Sequence, residues 1–171
     1  MQHKKTRDLA LCALLTALAL GLSTMENLFP VTLLIPLPGV KLGLANIVTV
    51  FALYRLGPAR AFAIVIVRCF LGAMFAGNLS ALLFSLLGGL AAMSVMSGLR
   101  HIRQLSIFGV SIAGAAAHNI GQICAALIAM GSVHVLGYLP VLLAVSLLTG
   151  SLTGFISGLL FRAMNHIKLS H

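Results

Sequence analysis

Acidic side chains are almost missing from this chain. Asp8 and Glu26 are the only two, against 11 lysines and arginines, and residues of either charge make up just 8% of the 171. So few charges cannot cover the surface of a soluble protein of this size. With 60% hydrophobic residues and a mean hydropathy of +1.12, the composition identifies an integral membrane protein. The cysteines Cys12, Cys69 and Cys124 are odd in number, far apart and set in hydrophobic runs, which excludes a disulfide framework and metal-ligand spacing. The chain has no GxxxxGK[ST] loop for a nucleotide phosphate, and nothing in it suggests a nucleophile, a metal centre or a cofactor. A net charge of +9 would suit nucleic acid if the basic residues formed a continuous face. They come instead in small separated clusters and report topology.

A bilayer crossing needs roughly 20 apolar residues, and the sequence predicts six: Leu9 to Met25, Leu42 to Leu56, Ala59 to Ala76, Leu79 to Leu99, Leu105 to Met130 and Leu136 to Phe161. Together they form one all-α transmembrane domain over residues 1–171, with no second domain, low-complexity tail or clear inverted repeat. Breaks fall at Pro30, Pro36, Pro38 and Gly39, at Gly57 and Pro58, at Gly77 and Asn78, at Arg100 to Gln104 and at Gly131 to Gly137, because glycine permits unusual dihedrals and proline removes a helix donor. The first hydrophobic run is itself a credible span, so no cleaved signal peptide is expected. Lys4, Lys5, Arg7, Arg55, Arg60, Arg100, Arg103, Arg162 and Lys168 all fall on one side of this ladder, and Lys41 alone on the other. By the positive-inside rule both termini are cytoplasmic. The outer connection NLFPVTLLIPLPGVK is itself hydrophobic and carries three prolines. It reads as a re-entrant or lid-like segment, since irregular backbone at membrane depth must be sheltered by protein, or as a loop on the lipid interface.

Small residues recur at four-residue spacing: Ala13, Ala17 and Gly21 in the first span, Ala113, Ala117, Gly121, Ala125 and Ala129 in the fifth, and Gly150, Gly154 and Gly158 in the sixth. Such stripes let helix backbones approach closely, where van der Waals contact replaces the hydrophobic driving force that lipid does not supply. The fifth and sixth suit packing within the bundle. The first suits either that or another subunit.

Few polar residues lie within the spans. They are Asn46 in the second, Arg68 in the third, Asn78 and Ser80 opening the fourth, and His118, Asn119 and Gln122 in the fifth. His118 and Gln122 are one helical turn apart and share a face. Each amide can serve as glue between helices or as a ligand contact. Arg68, inside AIVIVRCFLGAM, keeps its charge, and a central position costs about 2.5 to 3.5 kcal/mol on insertion scales. Neither Asp8 nor Glu26 is at matching depth. Arg68 must therefore bond to carbonyls and amides or face a cavity that offers it to an anionic or carbonyl-rich ligand.

The ordered stretches PLPGVKLGLANIVTVFALY, VRCFLG, GNLSALLFSLLGGLAA and GAAAHNIGQ resemble the membrane family known as Gx transporters or heptaprenyl diphosphate synthase component I. The likeness runs from about Leu9 to Phe161. That family looks like the substrate-binding S components of energy-coupling factor (ECF) transporters. The resemblance implies a compact six-helix bundle in the bacterial cytoplasmic membrane, with an outer-facing pocket for a small organic solute. Arg68, Asn46, Asn78, His118, Asn119 and Gln122 are the candidate solute contacts. It also implies a coupling membrane subunit docked on an AxxxA face, here Ala13 and Ala17 with Gly21 beyond them, and two partner ATPase subunits. A prenyl transferase holds magnesium through clustered carboxylates, and two acidic residues at opposite ends of one helix exclude chain elongation by this subunit alone. The alternative is a non-catalytic membrane subunit of polyprenyl diphosphate or quinone synthesis.

The one-sided basic loops are tested by labelling. In a cysteine-free background, Asn78→Cys and Val133→Cys should react with an impermeant thiol reagent added to intact cells, and Gln104→Cys should not. The reverse pattern would invert the orientation.

Overall fold

The computed structural model describes residues 2–28 and 43–168. Among them it is all-helical: α1 (Gln2–Leu28), α2 (Asn46–Leu56), α3 (Pro58–Ala76), α4 (Leu79–Leu99), α5 (Ile107–Met130), a 3-10 turn at Val133–Tyr138, and α6 (Leu139–Lys168). The stretch 29–42, which holds nearly all of NLFPVTLLIPLPGVK and with it the expected re-entrant segment, lies outside the described residues.

Local chemistry accounts for the boundaries. Pro58 opens α3, where its missing N–H costs nothing. Asn78 and Ser106 cap α4 and α5 by accepting from the Ser80 and Gly109 amides. Gly77 and Gly131 close α3 and α5 in left-handed conformation. Five segments are long and apolar enough to cross a membrane. The expected second span is corrected: its helix starts at Asn46 rather than Leu42 and has 11 residues, about 16 Å at 1.5 Å per residue, which is too short to cross alone. The sixth helix begins at Leu139 rather than Leu136, after the 3-10 turn.

The short helix is the hub. α1 packs on α3, α3 on α4, α4 on α5, α5 on α6 and α6 on α2, while α2 touches all five other α-helices. Asn46, Ile47, Val48, Thr49, Val50, Ala52 and Leu53 are buried. One core cluster gathers Val48, Val50 and Leu53 with Leu15 and Ala19 of α1, Ile64 of α3 and Met93 and Met96 of α4. A second joins Phe84, Ile123, Ala126 and Leu142 across α4, α5 and α6.

A buried helix must have its end groups satisfied by protein. Before α2, the Asn46 and Ile47 amides donate back to the Gly43 and Leu44 carbonyls, which leaves the Gly43 and Leu44 amides to be paired. The Glu26 carboxylate, 3% exposed, accepts from both. Gly43 makes the turn at φ +82°, a conformation that costs glycine nothing. At the other end the Arg100 guanidinium donates to the Leu53 carbonyl at 3.1 Å. An anion at the helix N-terminus and a cation at its C-terminus both complement its dipole. At that same end Arg60 pairs with Asp8 at 2.8 Å, the arginine exposed and the aspartate partly covered, a surface contact worth about 0–1 kcal/mol. Lys5, Arg7, Arg55, Arg60, Arg100 and Arg103 cluster near the beginnings of α1 and α3 and the ends of α2 and α4.

The small-residue stripes separate. Gly150 and Gly154 of α6 leave no room for a Cβ, which would meet Ile112 Cα at 2.5 Å and Phe108 Cα at 3.0 Å, whereas Gly158 faces open space. Ala117, Gly121 and Ala125 are buried, Ala113 is half-buried and Ala129 exposed. In the middle of α1 the buried residues are Leu15, Thr16 and Ala19, while Ala13, Ala17 and Gly21 are exposed on the opposite side.

Glu26→Ala should lower the stability of the purified protein by about 1.5–3 kcal/mol, the usual worth of hydrogen bonds to a charged group, and Glu26→Gln should lose about half of that. Thermal unfolding in detergent measures both, and an unchanged melting temperature for Glu26→Ala would remove the carboxylate from its capping role.

Candidate functional site

Two adjacent glycines of α4, Gly88 and Gly89, point about 100° apart around the helix and face different neighbours. A Cβ at Gly88 would lie 2.9 Å from Cε1 and 3.0 Å from Nδ1 of His118, and 3.2 Å from Cγ of Gln122. A Cβ at Gly89 would lie 2.9 Å from Val65 Cγ1 and 3.3 Å from Nη2 of Arg68. The pair thus lets two bulky polar groups rest against one helix backbone, on different sides.

On the Gly88 side, the opposite edge of the His118 ring lies by Gly43, whose added Cβ would be 3.3 Å from Cδ2 and 3.0 Å from Nδ2 of Asn46. The lead-in turn of α2, the middle of α4 and the middle of α5 therefore meet around one imidazole. Gly121 fixes the approach of α4 and α5, since a Cβ there would be 2.5 Å from the Leu87 carbonyl oxygen. Asn46, His118 and Gln122 are 5%, 4% and 0% exposed. Among the described residues Asn46 Oδ1 and both Gln122 amide atoms, Oε1 and Nε2, have no hydrogen-bond partner. An unpaired buried polar atom costs about 1–3 kcal/mol, a cost that a ligand carrying donors and acceptors relieves. The Glu26 carboxylate, bonded to the Gly43 amide, stands next to this group.

On the Gly89 side, Arg68 is 6% exposed and borders a cavity of about 20 Å³ between α1, α3 and α4, whose lining includes Ser23, Thr24, Gly72 and Ser85. Arg68 Nε has no hydrogen-bond partner.

Of the six solute contacts expected from sequence, the structure brings together Asn46, His118 and Gln122. Arg68 faces a separate cavity whose lining includes none of these three. Asn119 turns to α6, where its Nδ2 donates to the Leu142 carbonyl at 2.7 Å. Asn78 is exposed and accepts from the Ser80 amide at 2.8 Å as the cap of α4. Sequence reasoning missed Glu26, Gly43 and the Gly88–Gly89 pair. The available signal was a double glycine inside an otherwise unbroken apolar span, where each glycine costs about 1 kcal/mol against alanine and so asks for a close neighbour. Among the described residues no group of three or more histidines, cysteines or carboxylates could hold a metal ion.

Helices of membrane-crossing length around a short buried helix, with a small polar cluster inside, define a polytopic helical membrane protein. The chain belongs to the family described as heptaprenyl diphosphate synthase component I, whose model matches residues 15–160. No curated protein and no solved structure matches it significantly.

Gly88→Ala should force the His118 ring to move and destabilise the protein by about 1–3 kcal/mol, the ordinary cost of overpacking. Gly98→Ala in the same helix, where an added Cβ meets nothing within 4 Å, should be neutral or more stable by up to about 1 kcal/mol. Equal melting temperatures for the two variants would show that the packing around His118 is loose.

Proposed function

We propose that this chain is the solute-binding S subunit of an ECF-type importer in the bacterial cytoplasmic membrane, with both termini cytoplasmic. It captures a small organic solute from the outer side, and Asn46, His118 and Gln122 hold the solute's polar groups. The observation that carries this reading is the Gln122 amide, fully buried and with neither atom hydrogen-bonded among the described residues, beside an Asn46 amide oxygen in the same condition. A bundle that needed only structural glue would pair such groups, as Asn119 is paired with Leu142.

The partners are a coupling membrane subunit and two ATPases that supply the energy. The exposed Ala13, Ala17 and Gly21 face of α1 is the docking surface for the coupling subunit, since small residues allow close helix approach. The subunit does no chemistry of its own in this reading. Its two acidic residues have other partners: Asp8 pairs with Arg60 and Glu26 with the amides before α2. The family description favours a second reading, a non-catalytic membrane subunit that presents a polyprenyl lipid to a soluble synthase. An apolar groove of about 470 Å³ between α5 and α6, bordered by Ile112, Ala116, Leu143 and Leu147, would suit an isoprenoid chain.

Mass spectrometry of the molecule retained after gentle purification separates the two readings: a vitamin-like solute supports import, and a polyprenyl lipid supports the alternative. Gln122→Leu should lose the retained solute about tenfold or more, the worth of two hydrogen bonds, with melting temperature held or raised because an unpaired amide is gone. Ala17→Trp should lose the coupling subunit in a pull-down and keep the solute. Retained solute in Gln122→Leu would sink the site assignment, and intact pull-down of Ala17→Trp would move the docking face.

A further inference from the structure

Arg68 poses a charge-balance problem that the solute site does not solve. A guanidinium stays protonated at any accessible pH, and this one is 6% exposed in the middle of α3. Among the described residues its buried Nε has no hydrogen-bond partner, and neither carboxylate of the chain is recorded in a salt bridge with it. Asp8 is taken by Arg60, and the Glu26 carboxylate is bonded to the amides before α2. What the guanidinium does border is the cavity between α1, α3 and α4, where the lining hydroxyls are Ser23, Thr24 and Ser85. The Thr24 hydroxyl donates to the Leu20 carbonyl at 2.8 Å, while the Ser23 and Ser85 side chains line the cavity with Arg68 and have no recorded hydrogen bond among the described residues. The cavity therefore offers a fixed positive charge and two neutral donors, and its lining contains no carboxylate.

Its volume decides what it can hold. About 20 Å³ is room for a single water-sized occupant. A carboxylate-bearing solute or a phosphate does not fit, and a water fits but leaves the charge unbalanced in low-dielectric surroundings, where an opposite charge is worth far more than in water. We propose that this cavity binds one halide-sized inorganic anion, with chloride as the physiological case, held by the Arg68 guanidinium and the Ser23 and Ser85 hydroxyls as the counter-ion of α3. The site lies in the half of the bundle opposite the basic cluster: Ser85 is six residues from the Leu79 end of α4, and Thr24 is four residues from the Leu28 end of α1. This assignment is independent of the solute reading, since none of Asn46, His118 and Gln122 lines the cavity.

The test is thermal unfolding of the purified full-length protein in detergent, exchanged among potassium chloride, bromide, acetate and gluconate at constant ionic strength. Chloride and bromide should raise the melting temperature, by about 3–5 °C for each tenfold rise above the half-saturating concentration, and gluconate and acetate should not. Arg68→Gln should abolish the dependence on halide. Should that variant fail to fold, Ser85→Ala keeps the test sharp: it should raise the half-saturating chloride about tenfold, as loss of one hydrogen bond to a charge requires. Gln122→Leu should leave the halide effect unchanged. Equal melting temperatures in chloride and gluconate, or a halide effect that survives Arg68→Gln, would overturn the assignment. Stabilisation by acetate equal to that by chloride would overturn it too, in favour of a carboxylate site.

Discussion

The fold depends on how the two ends of α2 are satisfied. An 11-residue helix packed by five others is buried from Asn46 to Val50 and at Ala52 and Leu53, so orphan backbone groups along that stretch would each cost what any unpaired buried polar group costs. Glu26 closes one end and Arg100 the other. Each sits where the helix dipole favours its charge. In a chain with two acidic residues, one accepts from both amides that lead into this helix. The apolar packing of Val48, Val50 and Leu53 against four neighbouring helices works only once those ends are closed.

The Gly88–Gly89 pair organises the polar groups around that hub. By omitting two side chains, α4 lets His118 and Gln122 approach on one side and Arg68 on another, and so keeps an imidazole–amide cluster and a guanidinium apart in one narrow bundle. Neutral polar groups and a permanent charge are thereby given different surroundings. One helix serves both as the wall of the His118–Gln122 cluster and as the wall of the Arg68 cavity.

Local signals in the sequence reached the fold well and the site only in part. Pro58, Gly77, Ser106 and Gly131 mark helix ends by chemistry confined to a few residues, and α3 through α5 begin and end within two residues of the expected limits. The start of α2 was missed because the turn at Gly43 is held by Glu26, 17 residues earlier, and no local pattern announces a partner so far away. The four-residue spacing of His118 and Gln122 correctly put them on one face. Asn119 was grouped with them by adjacency, yet a step of about 100° around the helix turned it to Leu142 of α6. Arg68 stood out as an anomaly in its apolar run, but which helices border it depends on the order in which α1, α3 and α4 pack, and periodicity within a single span does not carry that order.

The brevity of α2 also bears on how the chain is assembled. A ribosome delivers segments in order, and α1, with Glu26 near its end, is already made when the Gly43 turn emerges. The front of α2 therefore finds its acceptor at once, across a separation of 17 residues. Its rear waits for Arg100, 47 residues beyond Leu53, after α3 and α4 have both been synthesised. Until then the Leu53 carbonyl lacks the guanidinium that it accepts from in the finished fold. The two closures of the hub are thus separated in the order of synthesis, the front by a residue made before α2 and the rear by one made after α4.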